Sequence, residues 1–244
     1  MKEVAFLGGK EVGARCFMQL IERTSDLDFR ITAVLPTPQG ASIQNLAEKH
    51  ELKVVENLDK LPECDVLISV QYHQILQLPD IQKAKFIAVN LHMAPLPEYR
   101  GCNQFSLAII NDDKEFGVTI HQLTEGIDSG PILSERRFSI PENIWVNELV
   151  DIATEESVCL FEESIESLVK GTFELTDQSQ LIPTRGTSLN FRKDVEQLKQ
   201  LDLNWDAERL DRYIRALSMP GFEPPHAVLG SGERVYFRRG EYHD

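Results

Sequence analysis

Short apolar runs rich in Val, Ile and Phe alternate with helix-like stretches through the first two thirds of the chain, and this alternation restricts the fold more than any other feature. A strand, a helix and a further strand in succession build a parallel sheet through crossover connections, so the predicted class is α/β with a mainly parallel central sheet. Residues 4–7, 31–35, 65–70, 86–91 and 118–123 read as parallel strands covered by helices on both faces. Residues 12–23, 41–50 and 103–111 carry helical spacing, and the longest helical pattern, 145–170, is stopped by Gly171. The carboxyl ends of such strands are expected to line a site.

The pattern changes after Ile182-Pro183. Residues 206–216 read as a short amphipathic helix, while 227–229 and 235–238 flank Gly230-Ser231-Gly232 as a hairpin. The expected organisation is a catalytic domain over residues 1–185 and a small C-terminal subdomain of helix and β-hairpin over 186–244. The hairpin is apolar enough to bury itself against a twin, so a homodimer is expected.

Charge and composition narrow the partners. Lys and Arg number 25 against 39 Asp and Glu, a formal charge of −14 that repels phosphate backbones and anionic membranes. Neither a nucleic acid nor a membrane is the expected partner. No stretch approaches the roughly 18 apolar residues of a membrane span, and the N-terminus runs straight into a strand without a signal-peptide layout, so a cytoplasmic location is expected. Cys16, Cys64, Cys102 and Cys159 stand singly, without a CxxC pair, and no metal is expected.

Three segments carry polar chemistry. Gly8-Gly9-Lys10-Glu11-Val12-Gly13 is a glycine turn between the first strand and the first helix. Lys10 breaks GxGxxG, no Gly-Lys-Ser/Thr follows, and the second strand ends in Leu35-Pro36-Thr37 without an acidic ribose partner, which disfavours NAD. The turn is either structural with a solvated lysine or a place where backbone N–H groups and Lys10 hold a phosphate. In the second segment, strand alternation puts Asn90 and His92 on one side at the end of a central strand. Such a pair is usually only hydrogen-bonded structure. In the third, a strand delivers His121, and a loop returns Asp128, with Gly130 permitting close backbone approach. An Asp on a loop is commonly just a turn residue.

The combination changes the weighing. Asn90-x-His92, Leu96-Pro97-x-Tyr99-Arg100-Gly101, and His121 followed by Asp128-x-Gly130-x-Ile132 resemble the signature of formyltransferases that use 10-formyltetrahydrofolate, over roughly residues 2–140. The resemblance implies a Rossmann-like formyltransferase fold. Tyr99-Arg100-Gly101-Cys102-Asn103-Gln104 is most similar to the nucleotide-sugar N-formyltransferases of O-antigen and lipopolysaccharide biosynthesis. Methionyl-tRNA formyltransferases usually carry small residues and a Pro after the Arg-Gly, with a longer C-terminal domain.

That resemblance implies a formyl transfer from 10-formyltetrahydrofolate, as co-substrate, to the amine of a nucleotide-linked amino sugar. Asn90 would donate to the oxyanion, His92 would take the amine proton, and Asp128 would hold the imidazole tautomer and stabilise its cation. The folate is expected against Gln71, Tyr72, His73, Ile75, Leu123, Gly126 and Ile127. The acceptor is expected at Gly8, Gly9 and Lys10, with Tyr99, Arg100, Gly101 and Asn103 near the sugar. For Arg100 a loop-shaping ion pair is an equal expectation. Other acceptors for the same chemistry are glycinamide ribonucleotide, methionyl-tRNA, or water in a deformylase. A metal hydrolase built on His73, His92, His121 and Asp128, or a non-catalytic binding module, is the remote alternative.

Overall fold

The computed structural model describes residues 1–240 of the chain. In chain order the elements are β1 (Lys2–Gly8), α1 (Lys10–Glu22), β2 (Phe29–Pro36), α2 (Ala41–Lys49), β3 (Cys64–Val70), α3 (Leu78–Ile81), β4 (Ala84–His92), β5 (Arg100–Gly101), α4 (Gln104–Ile110), β6 (Glu115–Gln122), β7 (Ile132–Ser139), α5 (Val146–Lys170), α6 (Ile182–Arg185), β8 (Leu189–Asn190), α7 (Arg192–Glu196), α8 (Ala207–Leu217), β9 (His226–Val228) and β10 (Arg234–Tyr236).

Six strands form the central sheet in the order β2-β1-β3-β4-β6-β7. The first four are mutually parallel, as the alternation requires. Strand β6 was expected to be parallel and is antiparallel to β4, and β7 runs antiparallel to β6. An apolar run reports burial on both faces but carries no direction. Strand β7 escaped the sequence because it is an edge strand whose middle, Glu135-Arg136-Arg137, is half-buried and charged.

Alternation along β1 splits the core in two. Val4 and Phe6 face α1, α2 and α5, where Phe17, Leu20, Ile43, Ala153, Leu160 and Ile165 are buried. Ala5 and Leu7 face the other way, onto Val55, Leu61 and Leu76, with Tyr72 and Ile81 packed at the margin. That second face is therefore covered largely by irregular chain, not by the helices expected on both sides. The helical pieces there are short: the four-residue α3 and one 3-10 turn at Leu58–Lys60. Gly171, at φ 74°, closes α5 in the left-handed conformation that stops a helix.

The C-terminal segment shares its core with the rest. Val195, Leu201, Ala216 and Leu217 are buried in one cluster with Tyr99, Ile109, Phe116 and Leu149. Strand β8 also pairs in parallel with β5, placing Asn190 beside Gly101. The expected hairpin is present as β9 and β10, with Val235 opposite Ala227.

Candidate active site

The polar residues converge where β4 leaves the sheet. Asn90 lies directly opposite His121 across the β4–β6 pairing, and His92 follows two residues later at the end of the strand. The Asn90 amide nitrogen is 3.4 Å from His121 Nε2. Asp128 comes back from the loop after β6 with φ 45°, a conformation that residues other than glycine seldom adopt. Its two oxygens divide between the rings: Oδ2 is 3.6 Å from His92 Nδ1, and Oδ1 is 3.4 Å from His121 Nε2. The backbone N–H of Gly101 donates to Oδ2 at 2.9 Å.

Each imidazole is fixed on its far side by a carbonyl. His92 Nε2 lies 2.7 Å from the Tyr99 carbonyl, and His121 Nδ1 lies 2.9 Å from that of Gln122. A carbonyl only accepts, so these outer nitrogens carry the protons of the neutral rings. The inner nitrogens are then bare and turned toward one carboxylate. This corrects the role expected of Asp128, because the His92 tautomer is set by the Tyr99 carbonyl. The Asp128 contact is the one that gains when a proton arrives.

The electrostatics agree with that picture. Burial pushes the His92 imidazole below its ordinary value, and Asp128 only partly opposes the shift. Burial would raise the Asp128 carboxyl, but the positive charge that His92 carries once protonated, the neighbouring His121 and the Gly101 amide together hold it well below the usual carboxylate range. A neutral base thus faces a stable anion, both largely buried.

The recess is shaped by close backbone approach. A Cβ on Gly130 would stand 1.9 Å from the Gln122 carbonyl oxygen, so only glycine lets the Asp128 loop fold back here. Gln178, a residue not expected at the site, is buried and donates from Nε2 to the carbonyls of Asp128 at 2.9 Å and Gly130 at 2.7 Å. One glutamine in a polar stretch carries no signal for that role.

Several expected contacts are used otherwise. The Tyr99 ring, expected near the sugar, is 7% exposed and packs on Phe116, while its hydroxyl donates to Asp113. Arg100 is not the expected ion pair: its Nε donates to the Ile127 carbonyl at 2.9 Å and clamps the Asp128 loop. Gly101 is a close-approach residue, with φ 85° and the Asn190 carbonyl oxygen 2.2 Å from where a Cβ would be. The Asn103 amide donates to the Phe191 carbonyl at 2.7 Å and so anchors the C-terminal segment.

On the side expected to take the folate, Tyr72 and Leu123 pack against the cluster around Leu67 and Leu76. His73 stacks edge-on to Tyr72, Ile75 is 65% exposed, and Gly126 is open to solvent. Gln71, expected there too, accepts from Lys10 Nζ at 2.9 Å, which links this side to the glycine turn. At that turn the Gly9 N–H donates to the Val70 carbonyl, and the Gly8 carbonyl accepts from Thr37. Among the described residues no cluster of His, Cys, Asp and Glu is arranged to hold a metal ion.

The sequence pattern of the family described as Formyl transferase matches residues 17–161. A methionyl-tRNA formyltransferase of Bartonella henselae is 32% identical over 252 residues, covering 95% of this chain and 79% of that protein. A GDP-perosamine N-formyltransferase of Brucella melitensis biotype 1 is 31% identical over 173 residues, covering 71% of this chain and 63% of that one. In fold, the chain is similar to an N-formyltransferase from Helicobacter canadensis solved with folinic acid and dTDP-3-aminofucose. The TM-score is 0.77 at 20% identity, covering 95% of this chain and 85% of that one.

Proposed function

Because this chain belongs to the formyl transferase family, we propose that it moves a formyl group from 10-formyltetrahydrofolate to the amine of a nucleotide-linked amino sugar. The observation that carries the chemistry is the meeting of Asn90, His92 and Asp128 in one recess at the end of β4. The donor supplies an electrophilic formyl carbon on a nitrogen that can leave. Asn90 has a second amide N–H beyond the one turned to His121, and it donates to the oxygen that becomes negative as the amine attacks. His92 takes the amine proton on Nδ1, the nitrogen not held by the Tyr99 carbonyl. Asp128 stabilises the imidazolium formed and keeps the proton close for return to the departing nitrogen. The folate side is formed by Tyr72, His73, Ile75, Leu123, Gly126 and Ile127.

The amino-sugar acceptor is supported by the Brucella and Helicobacter relatives and by the −14 charge, which opposes a tRNA. The same reading divides the chain into a catalytic part, 1–185, and a C-terminal part, 186–244, makes it a homodimer, and places the reaction in the cytoplasm, supplying lipopolysaccharide. The Bartonella relative favours a second acceptor, methionyl-tRNA. Incubating the enzyme with the formyl donor and a panel of amines separates the two. Only nucleotide-linked amino sugars should speed loss of the donor, and acceleration by methionyl-tRNA instead overturns the acceptor assigned here. Asn90→Ala and His92→Ala should each lower turnover with the true acceptor by about two to four powers of ten, with folding unchanged by circular dichroism.

A further inference from the structure

The C-terminal segment reaches the acceptor side of the recess through a chain of pairings. Gly8 pairs with Val70 and Val70 with Leu91, so Lys10, Gln71 and His92 leave adjacent strands at the same rim. The Gly101 N–H on Asp128 ties β5 to that rim, and β8 beside β5 brings residues 190–192 there.

Phe191 and Arg192 arrive on a backbone that is firmly held. The Phe191 carbonyl accepts from the Asn103 side chain at 2.7 Å and from the Asp194 N–H at 3.0 Å. Its own N–H donates to Asp194 Oδ2 at 2.6 Å, and the Cys102 N–H holds the Asn190 carbonyl at 2.8 Å. Yet the Phe191 ring is 47% exposed. A half-exposed aromatic ring on a fixed backbone leaves a face free to stack on a flat ligand.

The two charges beside it are unpaired. Among the described residues neither Lys10 nor Arg192 has a carboxylate within ion-pair distance, although the chain carries a net charge of −14. Among the described residues the only hydrogen-bond partner of Lys10 Nζ is the neutral Gln71 amide oxygen. Desolvation and then the positive charge of Arg192 hold the Lys10 ammonium below the usual lysine range, with Cys102 opposing, which places the two cations in each other's field.

We propose that Phe191 and Arg192 are the nucleotide subsite of the acceptor: the ring stacks on the base, and the guanidinium, with Lys10, binds the diphosphate. This rests on the acceptor being a nucleoside-diphosphate sugar and adds the residues that hold its nucleotide end.

Titration calorimetry of the full chain with UDP, GDP, dTDP and inorganic diphosphate tests it. The wild type should bind at least one nucleoside diphosphate. Arg192→Ala should weaken that ligand and inorganic diphosphate alike, by about tenfold, and Arg192→Lys should recover part of the loss. Phe191→Ala should weaken the nucleoside diphosphate by about tenfold and leave inorganic diphosphate unchanged. Both variants should raise KM for the acceptor and leave KM for the formyl donor as it was. Wild-type affinity in both alanine variants would overturn the subsite while the acceptor assignment stands. A wild type that binds none of the three nucleotides takes the acceptor assignment down as well.

Discussion

Asp128 stands between two imidazoles that each offer it an unprotonated nitrogen, and this predicts how the rate responds to acid. Because burial lowers the His92 value below its ordinary 6.5, the base form is already complete at neutral pH. Turnover should therefore rise with pH to a midpoint below 6.5 and then stay level until another group intervenes. The Asp128 charge raises His92, so Asp128→Asn should move that midpoint further toward acid and lower the plateau. Movement toward alkali would show that Asp128 does not face the base. The stability sign is the same: a buried imidazole with a depressed value stabilises the fold above 6.5 and loses that contribution as the pH falls and the unfolded chain binds the proton. Much of this centre was legible as residue types, since Asn90, His92, His121 and Asp128 are all chemistry-bearing side chains in a readable pattern. The Tyr99 and Gln122 carbonyls, which decide where the ring protons sit, were not legible, because every residue has a carbonyl and no letter marks the one that is used.

At the scale of elements, long apolar runs placed β1 to β4 and the spine of α1 and α5, but gave β6 the wrong direction. The two-residue ladder of β5 with β8 is too short to show any periodicity. That ladder, the Arg100 bond to the Ile127 carbonyl, the Gln178 amide and the Gly130 contact hold the Asp128 loop in place. Gly130→Ala should push this loop off the Gln122 carbonyl, because no flexible side chain is there to yield. Turnover should fall nearly as far as in Asp128→Asn. The melting temperature should drop by only a few degrees, corresponding to about 1 kcal/mol or somewhat more in a chain of this size. A variant of unchanged activity would mean that the loop does not need the glycine.

For the molecule as a whole, the features outside the recess belong to its surface. Strands β9 and β10 form a separate two-stranded sheet, and Val228, Val235 and Tyr236 on it are exposed. His226 and Ala227 anchor the hairpin, both buried and with the His226 carbonyl accepting from the Leu201 N–H, while the exposed apolar side chains gain by being covered. In the proposed homodimer a second hairpin supplies the cover, so sedimentation should give a dimer for the wild type and a monomer for Val235→Asp. Equal sedimentation of both as monomers would remove the proposal. The pairing of Asn90 with His121 has a different kind of consequence. Successive side chains on a strand point to opposite faces, so sliding β6 along β4 by one residue would carry the amide and the imidazole to opposite sides of the sheet. Their meeting cannot drift by small degrees; it is inherited whole from the ladder of main-chain hydrogen bonds, and it lasts as long as that ladder keeps its count.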